Sequence, residues 1–168
     1  IRIQELVSKA EQEGRQVIII GEPHHPEVVG EASWCAHPLI FQGPEELTQW
    51  LEGADFDVSV PVTVVAQTTC IRELFETSCK ILKKQCTNVK IFDTICYATR
   101  KRQTEAADIA AKVDVMVVVG DRKSANTQHL AEICRQKCSR VLQIEGADEL
   151  AAALVAGWAL AGLTAGAS

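Results

Sequence analysis

Short apolar runs rich in β-branched residues alternate along this chain with longer stretches in which apolar positions recur at helical spacing. The runs predict strands at Val17 to Ile20, Val62 to Ala66, Val89 to Phe92, Val115 to Val119, Val141 to Ile144 and Trp158 to Leu163, with a weaker edge strand at Leu39 to Phe41. The stretches predict helices at Ile1 to Glu13, Pro44 to Glu52, Thr69 to Gln85, Thr99 to Ala111, Thr127 to Gln136 and Ala147 to Val155. Because strands that alternate with helices form βαβ units, this order predicts an α/β fold built on parallel sheets.

An internal similarity divides the chain in two. Two of the predicted strands end in a glycine followed by an acidic residue, Gly21-Glu22 and Gly120-Asp121, and polar side chains stand at the fourth and sixth positions after each glycine. We therefore expect two similar small domains, residues 1–92 and 93–168, each a short and mainly parallel sheet flanked by helices.

The composition favours a folded chain that binds a small ligand. Of the 168 residues, 47% are hydrophobic, which is enough for a buried core, and the net charge is -5. Basic residues are scattered apart from Lys83-Lys84 and Arg100-Lys101-Arg102, so the chain lacks the positive patch of a nucleic-acid-binding protein. The apolar segment Leu150 to Ala167 is long enough for a membrane span, but its Ala and Gly content predicts a buried helix and strand instead. We therefore expect neither nucleic acid nor a membrane as a partner.

The two ends of the chain indicate that it belongs to something longer. The first residue is Ile1, and the one methionine, Met116, lies inside an apolar run. At the other end, an apolar segment stops at Ser168 without a polar tail. We therefore expect this chain to be a portion of a larger protein.

The seven cysteines form an odd set without a C-x-x-C pair, and no signal peptide is visible, so we expect free thiols in a reducing cytosol. Cys96 stands where a strand gives way to a helix, a position at which a thiolate makes a good soft-metal ligand, although cysteine is more often a buried packing residue. No function is assigned to the four cysteines predicted at helix surfaces or ends, which are Cys79, Cys86, Cys134 and Cys138. For Cys35 and Cys70, the sequence gives no sign of a role other than packing.

Polar side chains follow most of the predicted strands, at the edge where parallel α/β sheets bind ligands. His25 and Glu27 share a proline-constrained turn and could bind a substrate and pass protons, although a solvated loop or a glutamate at a helix start would look the same. Thr68 and Thr69 open a predicted helix, so one of them could cap it, or the hydroxyls could bind phosphate or relay a proton.

A second helix start offers small hydrogen-bonding groups. Ser124, Ala125 and Asn126 precede the predicted helix that begins at Thr127, and convergent neutral donors of this kind can hold a phosphate. Ordinary N-capping remains the alternative for this segment.

Taken together, these segments resemble one enzyme family, the 4-hydroxy-3-methylbut-2-enyl diphosphate reductases. The resemblance is carried by five segments in order, which are His25-Pro26-Glu27-Val28, Gln67-Thr68-Thr69, Ile95-Cys96-Tyr97-Ala98-Thr99 with Arg102-Gln103, Val118-Val119-Gly120 with Ser124 and Asn126, and Thr164-Ala165-Gly166-Ala167-Ser168. It implies three α/β domains around a central pocket, of which this chain would supply the middle and the C-terminal one.

The resemblance also implies roles for individual residues. Cys96 would be the one ligand in this chain to a [4Fe-4S] cluster, and two further cysteines would lie before Ile1, so the chain alone would be inactive. Glu27 would deliver protons, with Thr68 as part of the relay. The residues that would bind the allylic diphosphate are His25, Thr69, Ser124, Ala125, Asn126 and Ser168.

The implied reaction is the two-electron reductive removal of a hydroxyl from the allylic diphosphate, giving isopentenyl and dimethylallyl diphosphates in the cytoplasm. Ferredoxin or flavodoxin would deliver the electrons, because the chain has no nicotinamide fingerprint. Three residues depart from the family pattern: Ala125 stands where members often carry a serine, and Asp121 and Cys70 also differ.

Two other readings of the sequence compete with this one. The first is a non-catalytic α/β module that binds a phosphorylated small ligand without a cluster. The second is an interaction or regulatory domain pair with a flavodoxin-like fold, in which the strand-end residues are helix caps only.

Overall fold

The computed structural model describes residues 3–53, 56–150 and 157–166, and the chain divides into two compact units, Ile1–Ile95 and Cys96–Ser168. The sequence pattern divided the chain after residue 92. Thr94 accounts for the difference, because its Oγ1 accepts a hydrogen bond from the Ala66 N–H at 2.8 Å and donates one to the Ala66 carbonyl at 2.5 Å. These bonds hold the segment after residue 92 on the first unit.

The first unit is a four-stranded parallel sheet in the order β2-β1-β3-β4. Its strands are β1 (Gln16–Ile20), β2 (Leu39–Phe41), β3 (Val62–Ala66) and β4 (Val89–Ile91). Its helices are α1 (Ile3–Gln12), α2 (Pro26–Ala32), α3 (Pro44–Gly53) and α4 (Arg72–Gln85).

The central strands of this sheet are buried on both faces. Successive residues of β1 point to opposite faces, so Ile18 belongs to one core with Leu82 of α4, and Ile19 belongs to a second core with Val7 of α1 and Val28 of α2. All five of these side chains are fully buried. The continuous apolar runs seen in the sequence are therefore those of strands covered by helices on two sides.

At the amino ends of β3 and β4, the buried Arg15 side chain joins several backbone and side-chain acceptors. Its Nε donates to Thr63 Oγ1 at 2.8 Å, one terminal nitrogen donates to the Val62 carbonyl at 2.5 Å, and Asn88 Oδ1 accepts at 3.2 Å. Arg15 is only 8% exposed, so these bonds replace the water that a guanidinium would otherwise bind. Polar contacts therefore hold the amino ends of these strands in place.

The second unit is a three-stranded parallel sheet in the order β6-β5-β7, formed by β5 (Val115–Val119), β6 (Val141–Ile144) and β7 (Ala161–Ala165). Helices α5 (Tyr97–Ala110) and α6 (Ala125–Arg135) flank it, and a 3₁₀ turn covers Ala147–Glu149. Met116 and Val118 of the central strand pack against Leu130 and Ala106 in its core. Both units confirm the predicted α/β class with parallel sheets.

Several predicted elements differ in the structure. The turn predicted after Pro26 is helix α2, and the helix predicted from Thr69 begins at Arg72. The last strand starts at Ala161 rather than Trp158, because the carboxylate of Asp114 accepts the N–H groups of the two residues before it. The helix predicted over 147–155 begins as a 3₁₀ turn, and residues 151–155 lie outside the described residues.

Cys86 lies at a helix end, as predicted, as the C-cap of α4. All four cysteines expected at helix surfaces or ends are nevertheless buried, namely Cys79, Cys86, Cys134 and Cys138. They face inward because a thiol behaves as a small apolar group in packing. Within residues 3–53, 56–150 and 157–166, none of the helices has the length and hydropathy that a membrane crossing needs.

Candidate functional site

In the first unit, a crevice is expected between the carboxyl ends of β1 and β3. The chain leaves β1 toward β2 on one side and leaves β3 toward β4 on the other, so the connections diverge at that point. The loop after β1 carries His25 and Glu27, and the loop after β3 carries Thr68 and Thr69. The strand order thus brings the two predicted polar segments of this unit to one place.

The fully buried side chain of Gln67 ties these two loops together. Its Oε1 accepts the Glu22 N–H at 3.0 Å, and its Nε2 donates to Thr69 Oγ1 at 3.0 Å. Gly21 allows the close approach, because a Cβ there would lie 2.7 Å from the Gln67 Cβ. Gln67 is therefore a scaffold residue of the site, whereas the sequence pattern indicated only a helix start.

Glu27 and His25 are oriented by backbone hydrogen bonds. Glu27 Oε1 accepts the Thr68 N–H at 2.9 Å, which joins the loop of β1 to the loop of β3 directly. His25 is the N-cap of α2, and its Nδ1 accepts the Glu27 N–H at 3.2 Å. Because Nδ1 is the acceptor, the neutral imidazole carries its proton on Nε2, which leaves Nε2–H as a donor for a ligand.

Glu31, which sequence reasoning missed, lies one helical turn after Glu27. It is only 4% exposed, and its carboxyl hydrogen-bonds to that of Glu27. Burial, and then the negative charge and hydrogen bond of Glu27, raise the pKa of Glu31 to about 8. Its Oε2 has no hydrogen-bond partner among the described residues. Only the prediction of α2 would have revealed this i, i+4 pair.

The two threonines do not cap helix α4. The N-cap of that helix is Ile71, and the hydroxyl of Thr69 is engaged by Gln67. Thr68 is half-buried and lines a mainly apolar cavity of about 500 Å³ together with Ile3, Leu6, Phe92, Asp93 and Thr94. His25 and Glu27 are not among the residues that line this cavity.

The second unit has an equivalent arrangement after β5. Ser124 is the N-cap of α6 without a side-chain capping bond, and Ala125 and Asn126 form the first turn and are buried. Gly120 has a φ of +149°, and a Cβ there would lie 2.5 Å from Thr127 Oγ1, so glycine is required at this strand end.

Of the two basic residues beside that helix start, Arg122 is engaged elsewhere. Arg122 forms an ion pair with Glu149, and its backbone N–H donates to Glu145 Oε1 at 3.1 Å. The α6 start also offers neutral groups, because first-turn N–H groups have no partner within the helix. Ser168, the other predicted ligand residue of this unit, lies outside the described residues.

Cys96 differs from the other cysteines in exposure. It is the N-cap of the 14-residue helix α5, its side chain makes no capping bond, and it is exposed. Burial raises the pKa of Cys70 to about 12 and those of Cys79 and Cys134 to about 11.

Cys35, which is partly exposed, is engaged by a carboxylate. Its thiol donates to Glu11 Oε2 at 2.7 Å, and burial followed by this bond raises its pKa to about 11. No group of three or more His, Cys, Asp or Glu side chains able to hold a metal occurs in the described part of the chain. The thiols present therefore fit one ligand to a metal cluster, from Cys96, and not a complete set.

Comparison with known proteins gives consistent matches. A family model described as LytB protein matches residues 1–168. The 4-hydroxy-3-methylbut-2-enyl diphosphate reductase of Caldanaerobacter subterraneus is 35% identical over 167 residues, and that of Alkaliphilus oremlandii is 37% identical over 168 residues. Each match covers 99% of this chain, but 56% and 58% of the two relatives.

Solved structures give the same picture. The E-1-hydroxy-2-methyl-but-2-enyl-4-diphosphate reductase of Plasmodium falciparum matches with a TM-score of 0.89 at 24% identity, over 99% of this chain and 52% of that one, which shows a shared fold. A second solved structure, an (E)-4-hydroxy-3-methyl-but-2-enyl diphosphate reductase, matches with a TM-score of 0.53 at 31% identity, over 99% of this chain and 58% of that one. The chain thus spans little more than half the length of the proteins it resembles.

Proposed function

Since the chain belongs to the LytB protein family, we propose that it forms the middle and C-terminal domains of a three-domain 4-hydroxy-3-methylbut-2-enyl diphosphate reductase, with the first domain ahead of Ile1. The observation that carries the proposal is the hydrogen bond from the Thr68 N–H to Glu27 Oε1. It fixes an acid at the carboxyl ends of β1 and β3, where a parallel sheet binds ligands. Both residues belong to the segments on which the family resemblance rests.

In this reductase, the residues of the first unit contact the diphosphate and the allylic hydroxyl of the substrate and supply protons. His25 Nε2–H donates to an anionic diphosphate oxygen, because Nδ1 is occupied by the Glu27 N–H. Glu27 holds the proton on the carboxyl that Thr68 anchors, and the Thr68 hydroxyl completes the relay to the allylic hydroxyl. Thr69 has a supporting role, since Gln67 engages its hydroxyl.

The residues of the second unit bind the diphosphate without cationic side chains. The Ser124 hydroxyl, the Ala125 backbone N–H and the Asn126 side chain stand at the start of α6, and Ser168 adds a further donor. Neutral donors suffice because the positive end of the helix dipole favours an anion. The absence of a serine side chain at Ala125 removes one contact but leaves the N–H.

Cys96 would hold a [4Fe-4S] cluster together with two cysteines of the first domain. When bound, the cluster supplies the electrons for reductive removal of the hydroxyl, which leaves as water and gives isopentenyl and dimethylallyl diphosphates. The chain alone is inactive, because it offers only one of three thiolates. Ferredoxin or flavodoxin reduces the protein, and the reaction takes place in the cytoplasm.

The first test is replacement of Glu27 in the full-length protein. Glu27→Gln is expected to abolish turnover while the iron content and visible absorbance stay at the wild-type level, because the amide cannot deliver a proton. The exposed Glu45 provides the matched control, and Glu45→Gln is expected to leave turnover unchanged. Wild-type turnover in Glu27→Gln would contradict the proposed role.

The second test concerns the cluster ligand. Cys96→Ser is expected to lose the brown chromophore after anaerobic reconstitution with iron and sulfide, because serine is a poor ligand for the cluster iron. The control is Cys35→Ser, whose hydroxyl can still donate to Glu11, and it is expected to keep the chromophore. A wild-type protein that forms no chromophore would favour the alternative, a non-catalytic module that binds a phosphorylated small ligand.

A further inference from the structure

The carboxyl groups of Glu27 and Glu31 form a pair that the proposed role of Glu27 does not explain. Glu31 stands four residues after Glu27 on α2, so the two side chains lie on the same face of the helix. Their carboxyl groups are within hydrogen-bonding reach of each other, and a hydrogen bond between two carboxyl groups requires a proton on one of them. A glutamate that is only 4% exposed would not be stable with a charge and no cation beside it.

We propose that Glu31 is a positioning residue that holds a reserve proton for Glu27: the two carboxyl groups share one proton across a turn of α2. The inference rests on the proposed function, in which Glu27 delivers protons. Removal of the substrate hydroxyl as water with two electrons consumes two protons. A single carboxyl next to the substrate can supply only one before it is protonated again.

The proton balance of the pair is simple. In the resting pair the one proton lies on Glu31, and Glu27 takes up a second proton from solvent before each turnover. Glu27 donates its proton when the substrate accepts one, and its O–H bond breaks. The Glu31 O–H bond then breaks as the O–H bond of Glu27 forms again, which makes the second proton available. Glu31 is left as a carboxylate and takes a proton from solvent before the next turnover. The two electrons come from the ferredoxin or flavodoxin of the proposed reaction.

The surroundings of Glu31 favour the protonated form. The charged group that acts on it is Glu27, whose negative charge disfavours a second carboxylate. Helix α1 packs against α2, but its Glu11 accepts from the Cys35 thiol and the Ala36 N–H, and its Lys9 pairs with Glu13. Burial is the larger cause of the raised pKa, so Glu31 would stay protonated in the resting protein at neutral pH.

The experiment that tests this inference is an infrared titration of the full chain labelled with ¹³C-glutamate, following the C=O band of protonated carboxyl groups. The wild-type chain is expected to keep one protonated glutamate up to about pH 8. Glu31→Gln is expected to remove that band, and the exposed Glu45→Gln is expected to leave it. Glu27→Gln is expected to lower the midpoint without returning it to 4.5, because burial persists.

The titration does not depend on activity, so it can fail independently of the proposed function. A wild-type chain in which every glutamate ionises in the ordinary range, or a band that persists in Glu31→Gln, would overturn the shared proton. Should Glu31→Gln fail to fold, the Glu27→Gln arm decides, because an unmoved midpoint would show that the two groups do not interact.

Turnover of the full-length protein then tests the reserve role. Glu31→Gln is expected to lower kcat about tenfold with KM unchanged, and to remove the loss of rate above pH 8 that deprotonation of Glu31 causes. If Glu31→Gln keeps the wild-type kcat and pH profile, Glu31 does not supply a reserve proton, even if the titration shows that the two carboxyl groups share one. Normal turnover in Glu27→Gln would instead refute the proposed function and leave the titration result intact.

Discussion

At the scale of single residues, a few side chains determine how loops and sheet edges are held. Gln67 and Arg15 are both buried and polar, and each connects segments far apart in sequence. Gln67 holds the loops at the carboxyl ends of the strands, where the candidate site residues lie. Arg15 holds the amino ends of the strands. Their hydrogen bonds are formed within a desolvated environment, so the loss of one partner leaves the other unsatisfied.

Replacement of Arg15 by lysine is expected to destabilise the chain by about 2–3 kcal/mol, because an ammonium cannot reach all the acceptors that the guanidinium fork satisfies. Urea denaturation measures the loss. The control is Arg72→Lys, which alters a half-exposed ion pair with Glu76 and should cost less than about 1 kcal/mol. Equal effects of the two substitutions would contradict the structural role of Arg15.

Gly120→Ala is expected to cost about 2 kcal/mol or more, because the new Cβ would meet Thr127 Oγ1 and the backbone there has a φ of +149°. The comparison is Gly30→Ala in helix α2, where a Cβ meets nothing within 4 Å. That change should be neutral or stabilising by about 0.5–1 kcal/mol. A harmless Gly120→Ala, judged by the denaturation midpoint, would refute the requirement for glycine.

At the scale of elements, the two units repeat one strand-to-helix connection. The fourth residue after Gly21 and the fourth after Gly120 are both N-caps, His25 and Ser124, and the sixth residues are both in the first turn of a helix. The polar positions noted in the sequence are therefore equivalent in structure. Side-chain chemistry differs between them, with an imidazole and a carboxylate in one unit and neutral donors in the other.

The buried carboxyl pair within α2 gives stability a pH dependence. The pKa of Glu31 is raised from 4.5 in the unfolded chain to about 8 in the folded one. Between these values the folded state binds more protons, so the free energy of unfolding is expected to fall as pH rises, by at most about 1.4 kcal/mol per pH unit from this group. Urea midpoints measured at pH 5 and pH 8 should therefore drop more in the wild type than in Glu31→Gln. Parallel pH dependence in the two proteins would be the contrary outcome.

The sequence predicted the strands well where buried β-branched runs determine them, as in Val62–Ala66 and Val115–Val119, which have the predicted bounds. It failed where a side chain far along the chain decides. The last strand begins later than predicted because the Asp114 carboxylate accepts the N–H groups of the two residues before it.

Helix α2 was missed for a related reason. Val28, Val29 and Gly30 are weak helix formers, and the helix depends on the burial of Val28 and the capping by His25. The candidate site was predictable as residue types at strand ends. Its internal contacts, such as those of Gln67 and Glu31, required the tertiary structure.

At the scale of the whole molecule, charge and topology limit the kind of ligand. The net charge is -5, and the family segments lie at or after the carboxyl ends of strands in both units. A small anion can bind to such a chain at helix starts, through local dipoles, despite the overall negative charge. A long polyanion would meet repulsion over most of its length.

The chain is therefore expected not to bind duplex DNA, even at low ionic strength where electrostatic binding is strongest. Fluorescence anisotropy of a labelled duplex, titrated with the chain, measures this, and a known basic DNA-binding domain serves as the positive control. Salt-sensitive binding at micromolar concentration would show a cationic surface that the sequence does not predict.

Parallel pairing also has a consequence for how the protein can be handled. Every candidate ligand-binding segment follows a strand, so the exposed turn at Ser139 and Arg140 before β6 is expected to take no part in the proposed chemistry. Unlike the turn of the buried Arg15, it is suited to a fluorescent label, an affinity tag or a short insertion.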